Sequence, residues 1–100
     1  MIDWRLVTGF EWDGGNARKS ADKHSVSQAE AEQMFFNEPL LIVFDEKHSE
    51  TETRLHALGR TEAGHLLHAT FTLRERGTKI RVISARTMSR KERSYYDKQN

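Results

Sequence analysis

Apolar and polar residues alternate along much of the second half of the chain, which is the pattern of strands that have one face against a core. Three strands are predicted over about 53–60, 66–74 and 79–86, and the two turns between them contain glycine. In the middle strand the predicted core face carries four apolar residues: Leu67, Ala69, Phe71 and Leu73. The three segments together predict an antiparallel meander.

The first half of the chain adds two predicted strands. Apolar residues of one parity predict a strand over 5–12: Trp4, Leu6, Phe10 and Trp12. The run from Leu40 to Phe44 is apolar throughout, which is typical of a strand covered on both faces. We therefore expect a sheet of four to five strands.

Helices are predicted before and after these strands. A short one is predicted from Asp13 to about Lys23, although glycines in its first turn weaken it. Two capping boxes, each a serine followed three residues later by a glutamate, predict further helix starts: Ser27 with Glu30, and Ser89 with Glu92. The first starts a helix that ends before Pro39, and the second starts a C-terminal helix at Arg90.

The length of 100 residues and the predicted elements together indicate one α+β domain over residues 1–100. It has two helices in the N-terminal half, an antiparallel sheet and a C-terminal helix. With 36% hydrophobic and 31% charged residues the domain is heavily solvated, which suits a large partner-facing surface. The chain has no cysteine and no signal-peptide pattern, so we expect a cytoplasmic location. No apolar run approaches the roughly 20 residues that a membrane span requires.

Charge is distributed unevenly along the chain. Residues 1–52 carry 5 Lys/Arg against 11 Asp/Glu, whereas residues 53–100 carry 11 against 4, so the halves have charges of −6 and +7. The basic half can attract nucleic acid, and the acidic half can balance it internally or meet a basic partner. Charge alone does not choose between RNA and an acidic protein.

The segment 80–96, IRVISARTMSRKERSYY, carries the most chemical information. Arg81 and Arg86 interrupt an apolar strand, and guanidinium groups in such positions usually meet a counter-charge, for which phosphate is the obvious candidate. We expect Arg54, Arg74 and Arg86 to meet at one rim of the meander. Each arginine could equally be a solvated strand end or pair with a nearby glutamate.

IRVISAR followed by SRKERxxY is similar to the C-terminal signature of the BrnT family of bacterial toxins. Further matches follow in the family's order: Phe10-Glu11-Trp12-Asp13, Lys23-His24, His48-Ser49, Glu52 with Arg54, Gly59, Gly64 and Phe71-Thr72-Leu73-Arg74. The resemblance implies a RelE-like fold, mRNA cleavage that arrests growth, and a cognate BrnA-like antitoxin in a hetero-oligomer such as a 2:2 complex. A DNA operator would be bound only through that complex.

The resemblance makes His24, with Lys23, the candidate for proton transfer, and an imidazole suits that role. Cations in a last helical turn also offset the helix dipole, which is the alternative interpretation of both residues. His48 is the second candidate, or a residue that only orders its loop. Tyr96 matches the family's C-terminal tyrosine and could stack on a base or bind phosphate, or else anchor its helix to the sheet.

Three cations of the C-terminal helix are expected to form a solvated face that attracts RNA without specificity: Arg90, Lys91 and Arg93. Arg81 is a further candidate for RNA binding. No cofactor or metal is predicted, because the chain lacks cysteine, a helical histidine pair and glycine-rich nucleotide motifs. The elbow motif of serine hydrolases is also missing.

Together with the basic half of the chain, the resemblance implies a metal-independent endoribonuclease toxin of a type II toxin-antitoxin pair, acting through the 2′-hydroxyl of mRNA. Two hypotheses of other classes stay open. The basic face could hold nucleic acid, as part of an autoregulatory repressor complex, without cutting it. Alternatively, the arginines could serve only to receive an acidic helix of a partner.

Overall fold

The computed structural model of the 100-residue chain describes residues 2–13, 15, 25–45, 47 and 53–99. The helix predicted from Asp13 to Lys23 lies almost entirely outside the described residues, as do Lys23, His24 and His48. The predicted helix and the roles suggested for these three residues therefore remain predictions.

Five strands form one sheet: β1 Gly9–Trp12, β2 Leu41–Asp45, β3 Arg54–Arg60, β4 Leu66–Arg74 and β5 Lys79–Thr87. Their order is β1-β5-β4-β3-β2. The predicted meander of β3, β4 and β5 is confirmed, and β2 joins it antiparallel to β3. Strand β1 instead pairs parallel with β5, so the sheet is mixed although mostly antiparallel.

The first strand is shorter than predicted. Residues Trp4–Leu6 form a turn of 3₁₀ helix, capped by the Asp3 carboxylate, which accepts a hydrogen bond from the backbone N–H of Arg5. This cap bends the chain before the strand can start, so only Gly9–Trp12 pairs with β5. The alternation from Trp4 to Leu6 was therefore misleading.

The prediction that Leu40–Phe44 is covered on both faces was wrong. Within the described part of the chain β2 pairs only with β3, at the edge of the sheet. Val43 is 48% exposed and Phe44 is 52% exposed, one on each face. A continuous apolar run thus marks an edge strand here rather than a central one.

Both predicted capping boxes are present. Ser27 and Glu30 start helix α1, Gln28–Gln33, which continues as a 3₁₀ turn over Met34–Phe36. Ser89 and Glu92 start helix α2, Arg90–Lys98. Neither helix is long and apolar enough to cross a membrane, as judged over the described residues.

The helices pack on opposite faces of the sheet, since their buried residues belong to separate clusters. The main core lies under α1, where Ala31, Met34 and Phe35 contact the apolar faces of the strands: Ala57, Leu67, Ala69, Phe71, Ile80, Val82 and Ala85. Gly59 allows β3 to pass close beneath, because a Cβ there would lie 3.0 Å from the carbonyl oxygen of Met34. The second cluster lies under α2, where Met88 and Tyr96 pack with Leu58.

A β-bulge in β5 decides which side chains share the second face. The register passes from Phe71 opposite Val82 to Thr70 opposite Ser84, so Ile83 is the extra residue. Arg81 and Arg86, which are five positions apart, consequently lie opposite Thr72 and His68 and so share one face. A regular strand would point these two arginines to opposite faces.

Candidate nucleic-acid interface

The sheet face opposite α1 carries most of the polar side chains of the central strands, and we call it the polar face. It is formed by Arg54 and His56 from β3, His68, Thr70, Thr72 and Arg74 from β4, and Arg81, Ser84 and Arg86 from β5. Helix α2 covers the end of this face at which β3 ends and β4 begins. The cations at the other end come from three adjacent strands.

A row of charged side chains crosses the open end of the polar face. Asp45 pairs with Arg54, Thr72 pairs with Arg81, and Arg81 pairs with Glu11. Since neighbouring strands lie about 4.8 Å apart, the backbones of Arg54 and Arg81 flank β4 at a separation of about 10 Å. Guanidinium groups at this spacing can reach successive oxygens of one polyanion.

Arg74 extends the same end of the face, because it lies two residues after Thr72 and opposite Lys79. Arg54, Arg74 and Arg81 each also interact with other residues of the protein. Such contacts orient a guanidinium group, which carries five N–H donors in one plane. The open end therefore groups three arginines from adjacent strands, with the carboxylates of Asp45 and Glu11 at the two sides of the row.

The expectation that Arg86 joins Arg54 and Arg74 at one rim was wrong. Arg86 lies opposite His68, six residues along β4 from Arg74, a separation of about 20 Å at the rise of a strand. Its guanidinium donates hydrogen bonds of 2.8 and 2.9 Å to the two carboxylate oxygens of Glu92. Arg81 takes its place, because the bulge turns Arg81 onto the polar face.

Glu92 combines two functions at the start of α2. Its carboxylate accepts from the backbone N–H of Ser89, which closes the capping box, and it holds Arg86. Hydrogen bonding from Arg86 is the main cause that lowers the pKa of Glu92 to about 2, against the opposing effect of burial. The pair fastens α2 to the end of β5.

Two histidines occupy the middle of the polar face, and the sequence analysis assigned a role to neither of them. The ring centroids of His56 and His68 lie 4.9 Å apart. His56 Nε2 lies 2.8 Å from Asp45 Oδ2, and its Nδ1 lies 3.1 Å from the hydroxyl of Thr70. The strand register pairs His56 with Thr70, so the two predicted strands could have suggested this contact.

His68 lies deeper than His56. Burial first, and then the charge of Arg86, lowers the pKa of His68 to about 4, so its imidazole is neutral near pH 7. Its Nδ1 is buried without a hydrogen-bond partner among the described residues, and its Nε2 lies 3.9 Å from Glu92 Oε2. His68 thus serves as a neutral ring packed between His56 and the Arg86–Glu92 pair.

The remaining predicted residues fall into two groups. Tyr96 is 1% exposed, and its hydroxyl donates a 2.6 Å hydrogen bond to the carbonyl oxygen of Pro39. This contact is the one expected of a tyrosine that anchors its helix. Arg90, Lys91 and Arg93 are exposed on α2 and form a basic surface beside the polar face. No group of three or more metal-ligating side chains occurs among the residues described.

Comparisons with known proteins agree with this fold. A sequence profile of the family described as "Ribonuclease toxin, BrnT, of type II toxin-antitoxin system" matches residues 12–92. The 1.1 Å crystal structure of the Brucella abortus ribonuclease toxin BrnT has a similar fold, with a TM-score of 0.62 at 19% sequence identity. The match covers 84% of this chain and 100% of that one. No curated protein sequence matches significantly. On the strength of the profile match, this chain belongs to the BrnT family of ribonuclease toxins of type II toxin-antitoxin systems.

Proposed function

We propose that this protein is an endoribonuclease toxin that cleaves mRNA without a metal ion and thereby inhibits translation in the cytoplasm. The observation that carries the proposal is the grouping of Arg54, Arg74 and Arg81 at one end of the polar face. In a family of ribonuclease toxins, a cationic surface on the central strands is the natural place for the RNA backbone.

The chemistry suits arginines. RNA supplies its own nucleophile, the 2′-hydroxyl, which attacks the adjacent phosphorus atom. The protein has to remove the hydroxyl proton, stabilise the negative charge that builds up on the phosphate oxygens, and allow the 5′ oxygen to leave. Guanidinium groups stabilise that charge well, because they present paired donors to phosphate oxygens and stay protonated at working pH.

The proposal assigns different roles to the cationic residues. Arg54, Arg74 and Arg81 would hold the phosphates, and Arg90, Lys91 and Arg93 would guide RNA toward them. Arg86 would act indirectly, by holding α2 through Glu92. Lys23, His24 and His48 remain proposed contributors on the resemblance alone, because they lie outside the described residues.

Membership of a type II toxin-antitoxin family implies an antitoxin partner. We propose a BrnA-like antitoxin that binds this chain in a hetero-oligomer, with DNA bound only through that complex. The charge of −6 on residues 1–52 would suit a basic surface on the antitoxin, whereas an acidic antitoxin segment would compete with RNA for the arginines.

The test uses antitoxin-free protein, EDTA and two RNA strands that differ by one 2′-deoxy position at the cleavage site. Cleavage of the all-ribo strand alone is the expected result, because only that strand carries the nucleophile. If neither strand is cut, with or without ribosomes, while both bind with a steep salt dependence, the protein is instead a non-catalytic nucleic-acid-binding module. Salt-insensitive partner binding without RNA affinity would point to a purely structural partner.

A further inference from the structure

Asp45, His56 and Thr70 form a chain of hydrogen bonds that crosses three strands of the polar face. Asp45 lies on β2, His56 on β3 and Thr70 on β4, and the two contacts to the imidazole measure 2.8 Å and 3.1 Å. Three separate strands thus converge on one ring. Because all three strands are held in the sheet, the position of this ring is fixed by the fold.

The hydrogen bonds also define which nitrogen of His56 can accept a proton. An ionised carboxylate only accepts hydrogen bonds, so Asp45 fixes the ring proton on Nε2. Nδ1 then carries the free electron pair, and the hydroxyl of Thr70 is its donor. A carboxylate on the far side of an imidazole stabilises the cation that forms when the ring takes up a second proton.

His56 is also close to the arginines that the proposed function uses. It lies two residues from Arg54 on the same face of β3, a rise of about 7 Å. Thr70 lies two residues before Thr72, which stands between Arg54 and Arg81. The side chain of His56 is 30% exposed, so the imidazole borders the solvent-facing surface. A phosphate held by the arginines would therefore have this ring beside it.

We propose that His56 is the proton acceptor for the attacking 2′-hydroxyl and that Asp45 is the positioning residue that orients and stabilises it; this rests on the proposed function. The 2′-hydroxyl replaces Thr70 as donor to Nδ1 and gives up its proton there. The 2′ oxygen bonds to phosphorus, and the bond from phosphorus to the 5′ oxygen breaks. That oxygen keeps the electron pair and takes a proton from water, and the hydroxide formed takes the extra proton from the imidazolium.

Several charged residues share the polar face with His56. Asp45 lies on β2, Arg54 on the same strand as His56, and Arg81 and Arg86 on β5. His68 from β4 contributes a neutral ring near pH 7, and Glu92 from α2 is largely compensated by Arg86. A proton acceptor has to be unprotonated to act, so the proposed role predicts an acid limb in the pH profile of cleavage that depends on His56.

The experiment measures single-turnover cleavage by antitoxin-free wild-type protein, H56Q and D45N across a range of pH. H56Q should cleave at least about 100-fold more slowly, which is the usual contribution of a general base. Its residual activity should lack the acid limb of the wild-type profile. D45N should also be slower but should keep the acid limb, because it removes the carboxylate that orients the ring and leaves His56 in place.

The matched control is H65Q, which changes a histidine that takes no part in the hydrogen bonds among Asp45, His56 and Thr70. Its ring contacts Glu30 and Thr87, so the substitution tests only the loss of a histidine. Binding of the strand with the 2′-deoxy position should be equal in wild type and H56Q.

The outcomes separate the two proposals. If wild-type protein cuts RNA and H56Q cuts it within threefold of the same rate, His56 is not the acceptor and the proposed function stands. A loss of affinity in H56Q that accounts for its slower cleavage also overturns the assignment, since it would make His56 a binding residue. Wild-type protein that leaves RNA intact, with and without ribosomes, overturns both.

Discussion

Arg86 and Glu92 form a two-point ion pair, with nitrogen-to-oxygen distances of 2.8 and 2.9 Å, that joins the end of β5 to the first turn of α2. The side chain of Glu92 is 24% exposed, so solvent screens the pair only in part. The same carboxylate completes the capping box with Ser89. One residue therefore supports both the start of the helix and its attachment to the sheet.

The substitution E92Q should lower the free energy of unfolding by about 1–3 kcal/mol, because it removes a charge-assisted pair and weakens a cap. Urea denaturation at pH 7 measures this difference. D97N is the matched control, since Asp97 lies exposed in the same helix and should change stability little. An equal effect of both substitutions would show that Glu92 contributes only its surface charge.

The depressed pKa of Glu92 also predicts how this stabilisation depends on pH. The folded-state pKa is about 2, below the ordinary value of 4.5, so the stabilisation is present above pH 4.5 and is lost as the pH falls toward 2. Wild-type protein should therefore lose more stability than E92Q between these two values. Denaturation midpoints of both proteins, measured across that pH range, test this prediction. An equal change of midpoint with pH in the two proteins would contradict it.

His68 predicts a separate pH effect at higher pH. Its folded-state pKa is about 4 and its ordinary value is 6.5, so the unfolded chain binds more protons between these values and stability falls as the pH is lowered through them. The loss of stability across this range is on the order of 3 kcal/mol. H68Q should flatten the stability profile between pH 6.5 and 4, as read from thermal unfolding, and a slope equal to that of wild type would contradict the prediction.

Tyr96 offers a test of anchoring against catalysis. Y96F removes the hydroxyl that donates to the carbonyl oxygen of Pro39, so the free energy of unfolding should fall by about 1 kcal/mol. RNA cleavage per folded molecule should be unchanged, because the hydroxyl is engaged within the protein. A large loss of cleavage in a fully folded Y96F protein would restore the catalytic interpretation that the sequence left open.

The arginines of the open end predict how RNA binding responds to substitution. R81A should weaken binding of an uncleavable RNA about tenfold or more and reduce the slope of log affinity against log salt by about 1. R81K should recover the salt slope but little of the cleavage, since lysine keeps the charge and loses the paired donors. R93A, on the exposed surface of α2, should have a smaller effect on cleavage. Equal effects of R81A and R93A would argue against a specific phosphate site at Arg81.

The local signals in the sequence were sufficient for most of the secondary structure. The two capping boxes start the two helices of the described chain, because a serine and a glutamate three residues later satisfy backbone donors without help from distant residues. The alternation in β3, β4 and β5 and the glycines in their turns gave the meander for the same reason. The strand predicted at Trp4–Leu6 is instead a 3₁₀ turn, because the side-chain cap from Asp3 outweighed the apolar alternation.

The candidate site depended on relationships that no short segment contains. Spacing alone puts Arg81 and Arg86 on opposite faces of a regular strand, and only the pairing of β5 with β4 reveals the bulge at Ile83 that brings them to one face. Asp45 reaches His56 only because β2 pairs with β3 at a particular register.

The sequence by itself thus determined the two capped helices, the meander, the basic half and the resemblance to a toxin family, since each follows from neighbouring residues or from their order. Tertiary structure decided which arginines lie together and which histidine gains a carboxylate. The physical reason is that strand register and bulges are set by packing across the whole sheet, and a shift of one residue moves a side chain to the other face.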